Sequence, residues 1–261
     1  IDEKIEPSEN KVNLIDPTFM QFNRGRNMEW VRAILRKIDL DIGNRLFEEC
    51  TLEGIRVCRR NRFNVMVTDD PELRGMFSGK LDIEDMALPQ GYADTLEWLK
   101  ILSEKCGSGS FGEAKSCIEK EYRDAVSKYS GYLGGKRIAF AVSSFFNIDW
   151  MIECLSDAGA EICGVYTFRM GRSGKRFATR YRDRIRTAEG MAVNDIASLI
   201  KESKPELVIG NSYIARAAGC RFAPNPAESY THYASVSYLE FITNILRVPE
   251  SPGWEKWRLP Q

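Results

Sequence analysis

KPELVIGNSYIARAAGCRF, residues 204–222, decides the fold. Leu207, Val208 and Ile209 make a short apolar run of strand length, and Gly210-Asn211-Ser212 then breaks it. Helix-compatible sequence follows as far as Gly219, and CRFAP reads as another short strand. Strand, polar turn, helix and strand in that order are the currency of a parallel sheet, where apolar runs alternate with helical periods. In such a sheet ligands bind beyond the carboxyl ends of the strands, which is where Gly210, Asn211 and Ser212 fall. Glycine lets backbone approach closely, and Asn and Ser supply short polar groups. The turn therefore reads in two ways, as a capped strand-to-helix turn or as a contact for an anion or cofactor.

Working outward, the same alternation fills the second half of the chain. RIAFAVS (residues 137–143) and EICGVYTF (161–168) read as strands. NIDWMIECLSDAG reads as a helix ended by Gly159, NDIASLIKESK as a helix with Asn194 at its N-cap, and SVSYLEFITNILRV as an amphipathic carboxyl-terminal helix. The first half repeats the alternation less cleanly. Strands are expected at 11–15, 42–47, 63–68 and 86–89, a helix at 28–38, and a further helix with Pro71 in its first turn. Two long helical stretches, residues 92–105 and 113–133, flank a break at Gly107, Gly109 and Gly112. The expected architecture is α/β, with two Rossmann-like, doubly wound parallel-sheet domains covering residues 1–108 and 109–261.

The chain has 261 residues and balances 37 basic against 37 acidic side chains. Bulk charge gives no argument for nucleic acid or a membrane surface. Seven cysteines without a CxxC pair point to reduced thiols, mostly in the core, and a cytoplasmic protein. No apolar run approaches the roughly 20 residues needed to span a bilayer. The charged start at Ile1, without Met, is unlike a signal peptide and is expected of a piece of something longer.

RMGRSGKRFATRYRDRIR, residues 169–186, follows one of the expected strands and holds eight basic residues against one acid, Asp183. Arg172, Lys175 and Arg176 lie in or beside its glycine-rich part, and Arg176, Arg180 and Arg184 fall at helical spacing. Like charges stacked on one face repel, and an ordered anion would relieve that cost. The alternative is a solvated basic helix. His232, the only histidine, stands between Tyr230 and Tyr233, as a packing residue or a ligand-facing one. The sequence lacks Walker A and GxSxG motifs.

YRDAVSKYSGYLGGKRIAFAVSS, MIECLSDAGAEICGVYTF, DIASLIKESKPELVIGNSY and CRF, in this order, resemble the nitrogenase component 1 family. Its members carry a "GK" strand, a helix ending in "GAEIVGV", "KPDLIIGNS" and "GIPF". KVNLID is similar to the "KVNLIG" that opens the family's middle domain, and RFNVMVT to its "KLNLV" strand. The resemblance is strongest over residues 122–222. It implies a subunit of an oxidoreductase or of a cofactor-assembly scaffold that supplies part of a metallocofactor or tetrapyrrole cavity. It also implies a second homologous subunit and an ATP-dependent iron protein as partners. The family's cysteine-bearing amino-terminal domain has no counterpart here. Residues 66–69 lack the cysteine of catalytic subunits, and Val236 stands where their cofactor histidine is found, with His232 four residues earlier.

The isolated chain is accordingly expected to hold no iron-sulfur cluster and to be inactive alone, a cluster or metallocofactor belonging to the full-length complex. The cofactor-binding candidates are Arg172, Lys175, Arg176, Gly210, Asn211, Ser212 and His232; no metal ligand is assigned. A competing reading is a standalone module that clamps an anionic small molecule between its two domains. A third, a nucleotide-sugar transferase, lacks identifiable nucleotide contacts.

Overall fold

The computed structural model describes residues 8–15, 23–47, 51–52, 55, 58, 61–67, 71–77, 83–143, 147–168, 180–188, 190–227 and 229–249. The chain forms two compact units. Ile1–Arg123 and Ala227–Ser235 make the first, and Asp124–Pro226 with Val236–Gln261 make the second. The sequence reading drew the line at 108/109; the structure groups the start of the following helix with the first unit.

The first unit is built on strands β1 (Ser8–Ile15), β2 (Asp41–Leu46), β3 (Asn61–Met66) and β4 (Ile83–Asp85). They are all parallel, in the order β2-β1-β3-β4. Helices α1 (Arg24–Arg36), α2 (Pro71–Phe77) and α3 (Gly91–Cys106) supply the covering layers. The apolar stripe of α1, Met28, Val31, Ile34 and Leu35, packs with Val12, Leu14 and Val65 of the sheet and with Trp98, Leu99 and Leu102 of α3. The strand expected at 86–89 is instead β4, ending at Asp85. Met86 to Pro89 is an irregular run whose buried Leu88 fills the core, so its apolar character reflects packing and not a sheet ladder.

The middle of this sheet is polar. Asn13 of β1 and Asn64 of β3 are buried. The Asn13 amide donates to Asn64 Oδ1 at 2.8 Å and to the Cys58 carbonyl at 2.9 Å. Its Oδ1 accepts from the Asn44 backbone amide at 2.9 Å and from Asn44 Nδ2 at 3.2 Å. The β1–β2 register slips between Val12 and Leu14, and the Asn13 side chain satisfies the amide that the slipped ladder leaves over. A buried polar group has to be bonded in this way to be tolerated.

The second unit holds β5 (Arg137–Ser143), β6 (Glu161–Phe168), β7 (Ile185–Thr187), β8 (Leu207–Gly210) and β9 (Arg221–Pro224), parallel throughout, in the order β7-β6-β5-β8-β9. Ile138 through Val142, Val165 and Leu207 through Ile209 are fully buried, which is why these strands read as continuous apolar runs. Its helices are α5 (Asp149–Asp157), α6 (Val193–Glu202) and α7 (Ser212–Ala218). Two helices, α4 (Phe111–Leu133) and α8 (Thr231–Arg247), contribute residues to both units. Asn194 is not the cap of α6, since the helix starts at Val193 behind Ala192 with no side-chain cap. The final helix begins at Thr231 and not at residue 235, which places His232 in its first turn.

Three buried cysteines, Cys58, Cys106 and Cys154, are core residues as expected, but Cys163 and Cys220 are half-buried and Cys117 is exposed. The basic stretch is only partly described. Its described end is not a helix face: a turn with a 3-10 segment, Arg182–Arg184, leads into β7. There Arg180 lies beside Asp149 and Glu153, and Arg184 lies over the Tyr181 ring. Carboxylates and aromatic faces thus disperse charges that helical spacing would have stacked.

Candidate functional site

The order of the five-stranded sheet reverses between β5 and β8: the chain runs outward from β5 through β6 to β7, then returns on β5's other side. Such a switch point opens a crevice beyond the strand ends. Ala141 of β5 is level with Tyr166 of β6 on one side and Gly210 of β8 on the other. All three strands therefore end at one edge.

At this edge Gly210 has φ +119, and a Cβ there would lie 2.2 Å from the Ala141 carbonyl oxygen. That same oxygen accepts the Asn211 amide at 2.9 Å. Only glycine combines that dihedral with so close a strand approach. Asn211 then caps α7, its Oδ1 accepting from the Ile214 amide at 3.1 Å. Its side chain is thus engaged in the local turn. Ser212 and Tyr213 are exposed at the start of α7. Residues 169–179, including Arg172, Lys175 and Arg176, lie outside the described residues.

His232 belongs to the first unit and sits in a different setting. The preceding Thr231 has φ +63 and is fully buried. This is an uncommon backbone for a β-branched residue. The Thr231 amide donates to the Pro89 carbonyl at 2.6 Å, pinning the helix start. His232 is fully buried against the Tyr233 ring at 4.0 Å, with Nε2 2.7 Å from Glu121 Oε2 on α4. Glu121 Oε1 accepts from Lys37 Nζ at 2.9 Å. Lys37 Nζ also donates to Cys117 Sγ at 2.9 Å, and that sulfur lies 3.3 Å from Glu121 Oε1.

The charges in this cluster are fixed by their neighbours. Burial opposes ionisation of Glu121, yet hydrogen bonds from Lys37, His232 and Cys117 outweigh it and lower the carboxyl from its ordinary 4.5 to about 2. Burial likewise opposes the Lys37 charge, but bonds to Cys117 and Glu121 raise its ammonium well above the usual lysine range. For His232 burial is the larger effect and lowers the imidazole pKa, although Glu121 pulls the other way. The 2.7 Å contact is an ion pair only with a protonated ring. With burial dominant, the ring is neutral, Nε2–H donates to the ionised Glu121, and the Nδ1 lone pair is left over. Nδ1 is buried without a hydrogen-bond partner.

His232 was legible as a candidate; its partners were not, because Glu121 lies 111 residues away in sequence. The only signal for Glu121 is its place on a long amphipathic helix. Cys117, Lys37 and Glu121 are the site residues that sequence reasoning missed.

Among the described residues no group of three or more His, Cys, Asp or Glu side chains is arranged to hold a metal ion. No described helix is long and apolar enough to cross a membrane.

Over residues 1–238 the chain matches the family described as nitrogenase component 1 type oxidoreductase. The chain belongs to that family. Among solved structures it is similar to nitrogenase Cp1 at pH 5, with TM-score 0.63, 12% identity, and 98% of this chain covering 59% of that one. Against nitrogenase Cp1 at pH 6.5 the TM-score is 0.61 at 17% identity, with 94% and 61% covered. An ABC transporter substrate-binding protein from Listeria monocytogenes EGD-e gives 0.51 at 11% identity, with 93% and 99% covered. These likenesses show the α/β fold with its two Rossmann-like parallel-sheet domains. The chain spans about three fifths of the nitrogenase chains it matches. No curated protein matches it in sequence.

Proposed function

We propose that this chain, as a member of the nitrogenase component 1 family, supplies the two Rossmann-like units of an oxidoreductase or cofactor-assembly subunit. In this reading it walls part of a metallocofactor or tetrapyrrole cavity and works with a second homologous subunit and an ATP-dependent iron protein. The family match across residues 1–238 carries the reading.

The donor chemistry limits what the chain does itself. Its described residues do not fit a cluster held by this chain alone. They do offer a single oriented base. His232 presents the Nδ1 lone pair while Glu121 fixes the tautomer through Nε2, with Lys37 holding the carboxylate ionised. An unsatisfied buried acceptor costs about 1–3 kcal/mol, a cost that a hydrogen-bond donor on a bound group removes. Arg172, Lys175 and Arg176 are proposed to pair with carboxylates of an anionic cofactor beyond the ends of β6 and β8, with Gly210, Asn211 and Ser212 shaping the same edge.

Thermal unfolding with citrate, phosphate and sulfate tests the anion site. Each charge-assisted contact contributes about 1.5–3 kcal/mol. The Arg172→Ala, Arg176→Ala double variant should therefore weaken polyanion binding about a hundredfold or more. Stabilisation that survives both substitutions removes these arginines from the site. Co-expression with the homologous subunit tests the pairing: a chain that purifies alone under every condition speaks against it. A second reading, a two-unit module for an anionic small molecule, draws on the near full-length match to the substrate-binding protein. Tight anion binding without any recruitment of a second subunit would favour it.

A further inference from the structure

The carboxyl edge of the second sheet holds an acceptor that the reading above does not use. β9 runs beside β8 in parallel, with Pro224 level with Gly210. Asn225, the next residue, therefore lies beside the Gly210-Asn211-Ser212 turn, at the edge where the switch point opens its crevice. It stands between Pro224 and Pro226. Each proline fixes its own φ, and Pro226 also holds the residue before it in the extended region, so the Asn225 backbone is stiff before anything binds.

The two asparagines of this edge differ in what their side-chain oxygens do. Asn211 Oδ1 accepts the Ile214 amide. Asn225 Oδ1 is buried and has no hydrogen-bond partner. The usual local donor to an asparagine oxygen is the backbone amide two residues on. Here that bond, from the Ala227 amide, is not made, and Pro226 has no amide hydrogen to offer. Native proteins seldom leave a buried acceptor unmet, and a stiffly held one beside a crevice is in place to meet a group that arrives from outside.

We propose that Asn225 is a specificity-determining residue of this crevice, accepting a neutral N–H or O–H of the anionic ligand; the inference rests on the anion reading above. A carboxamide oxygen offers lone pairs without a full charge. It therefore distinguishes anions of the same size and charge by the donor they carry, a feature that cationic side chains do not read.

Calorimetric titration of the wild-type chain with two pairs of anions tests this. Pyrrole-2-carboxylate and furan-2-carboxylate share shape and charge and differ by one N–H; malate and succinate differ by one O–H. In at least one pair the donor-bearing member should bind about tenfold more tightly than the other, the loss expected when a buried acceptor is left unmet. The pair that shows it identifies the donor as N–H or O–H. Asn225→Leu should make the members of that pair equal. Because the oxygen has no partner to lose, the same substitution should leave the melting temperature of the free chain unchanged or raise it. Equal binding within both pairs, or a preference for the member without the donor, overturns the proposal and leaves the anion reading standing. A preference that survives Asn225→Leu overturns it too, as does a melting temperature that falls. Binding of none of the four removes the anion reading, and this inference with it.

Discussion

The two sheets are built alike and specified differently. Both are parallel and both reverse order beside their first strand. The centre of the second unit is apolar throughout, from Ile138 to Val142 on β5 and from Leu207 to Ile209 on β8. The first unit carries Asn13 and Asn64 in the same kind of position and encloses the His232 side chain bonded to Glu121. An apolar strand is satisfied by any neighbour of the right volume. A buried amide or imidazole is satisfied only by particular partners in particular places. The first unit therefore depends more on specific tertiary contacts, and the second on pattern and close backbone approach.

The largest expected effect breaks the second unit at Gly210, where a positive φ coincides with a close backbone approach. Gly210→Ala combines a disfavoured dihedral with a Cβ 2.2 Å from the Ala141 oxygen, and should destabilise that unit by at least about 3 kcal/mol. Hydrogen exchange of the β5 and β8 amides reads the loss. Full protection in the variant would show that the β5–β8 edge is looser than described.

Next in size, Asn13→Leu should cost about 3 kcal/mol. It removes the bonds that Asn13 makes to the Cys58 carbonyl, the Asn44 amide and Asn64 Oδ1. The conservative swap Ile138→Leu in the second unit should stay below about 1.5 kcal/mol. Urea unfolding of both variants sharpens the contrast, and equal losses would erase it.

The smallest effect is a pH dependence of opposite sense in the two units. Glu121 titrates at about 2 when folded and 4.5 in its ordinary state. Its contribution is complete above 4.5 and is lost as pH falls from there toward 2. His232, held neutral by burial, adds a loss that begins as pH falls below 6.5, where the unfolded chain takes up a proton that the folded chain resists. In the second unit burial raises the Cys154 thiol well above 9.0, so stability there declines as pH rises past 9.0, where the unfolded thiol ionises first. Hydrogen exchange should show the first unit's protection weakening before the second's on the acid side. The Glu121→Gln substitution should flatten the limb between 4.5 and 2; an unaltered limb would assign it to other carboxylates.

Much of the second unit was legible. RIAFAVS and EICGVYTF appear as β5 and β6 with the expected bounds, because a strand buried on both faces carries its own signal. The Gly210 turn was legible for a related reason, since a glycine ending an apolar run marks a backbone constraint. Two short edge strands, β4 and β7, were not. β4 is the charged triplet Ile83–Asp85 and β7 lies inside a basic stretch, and an edge strand of three residues has too little buried surface to impose a pattern. For the candidate site, His232 stood out as the single histidine, while the residues that give it a tautomer did not.

Residue order by itself determined the alternation of elements, the apolar heart of the second unit, the glycine at its switch point and the family likeness. These rest on local periodicity and backbone conformation, which neighbouring residues fix between them. Only the tertiary structure decided that Asn13 completes a slipped ladder. It also brought Lys37, Cys117, Glu121 and His232 together as one charged cluster. The side chains in such networks are separated by tens of residues in the chain and come within hydrogen-bonding distance only once the helices that carry them have packed. Hydrogen bonding and burial act on distance in space, and one-dimensional pattern does not encode that distance.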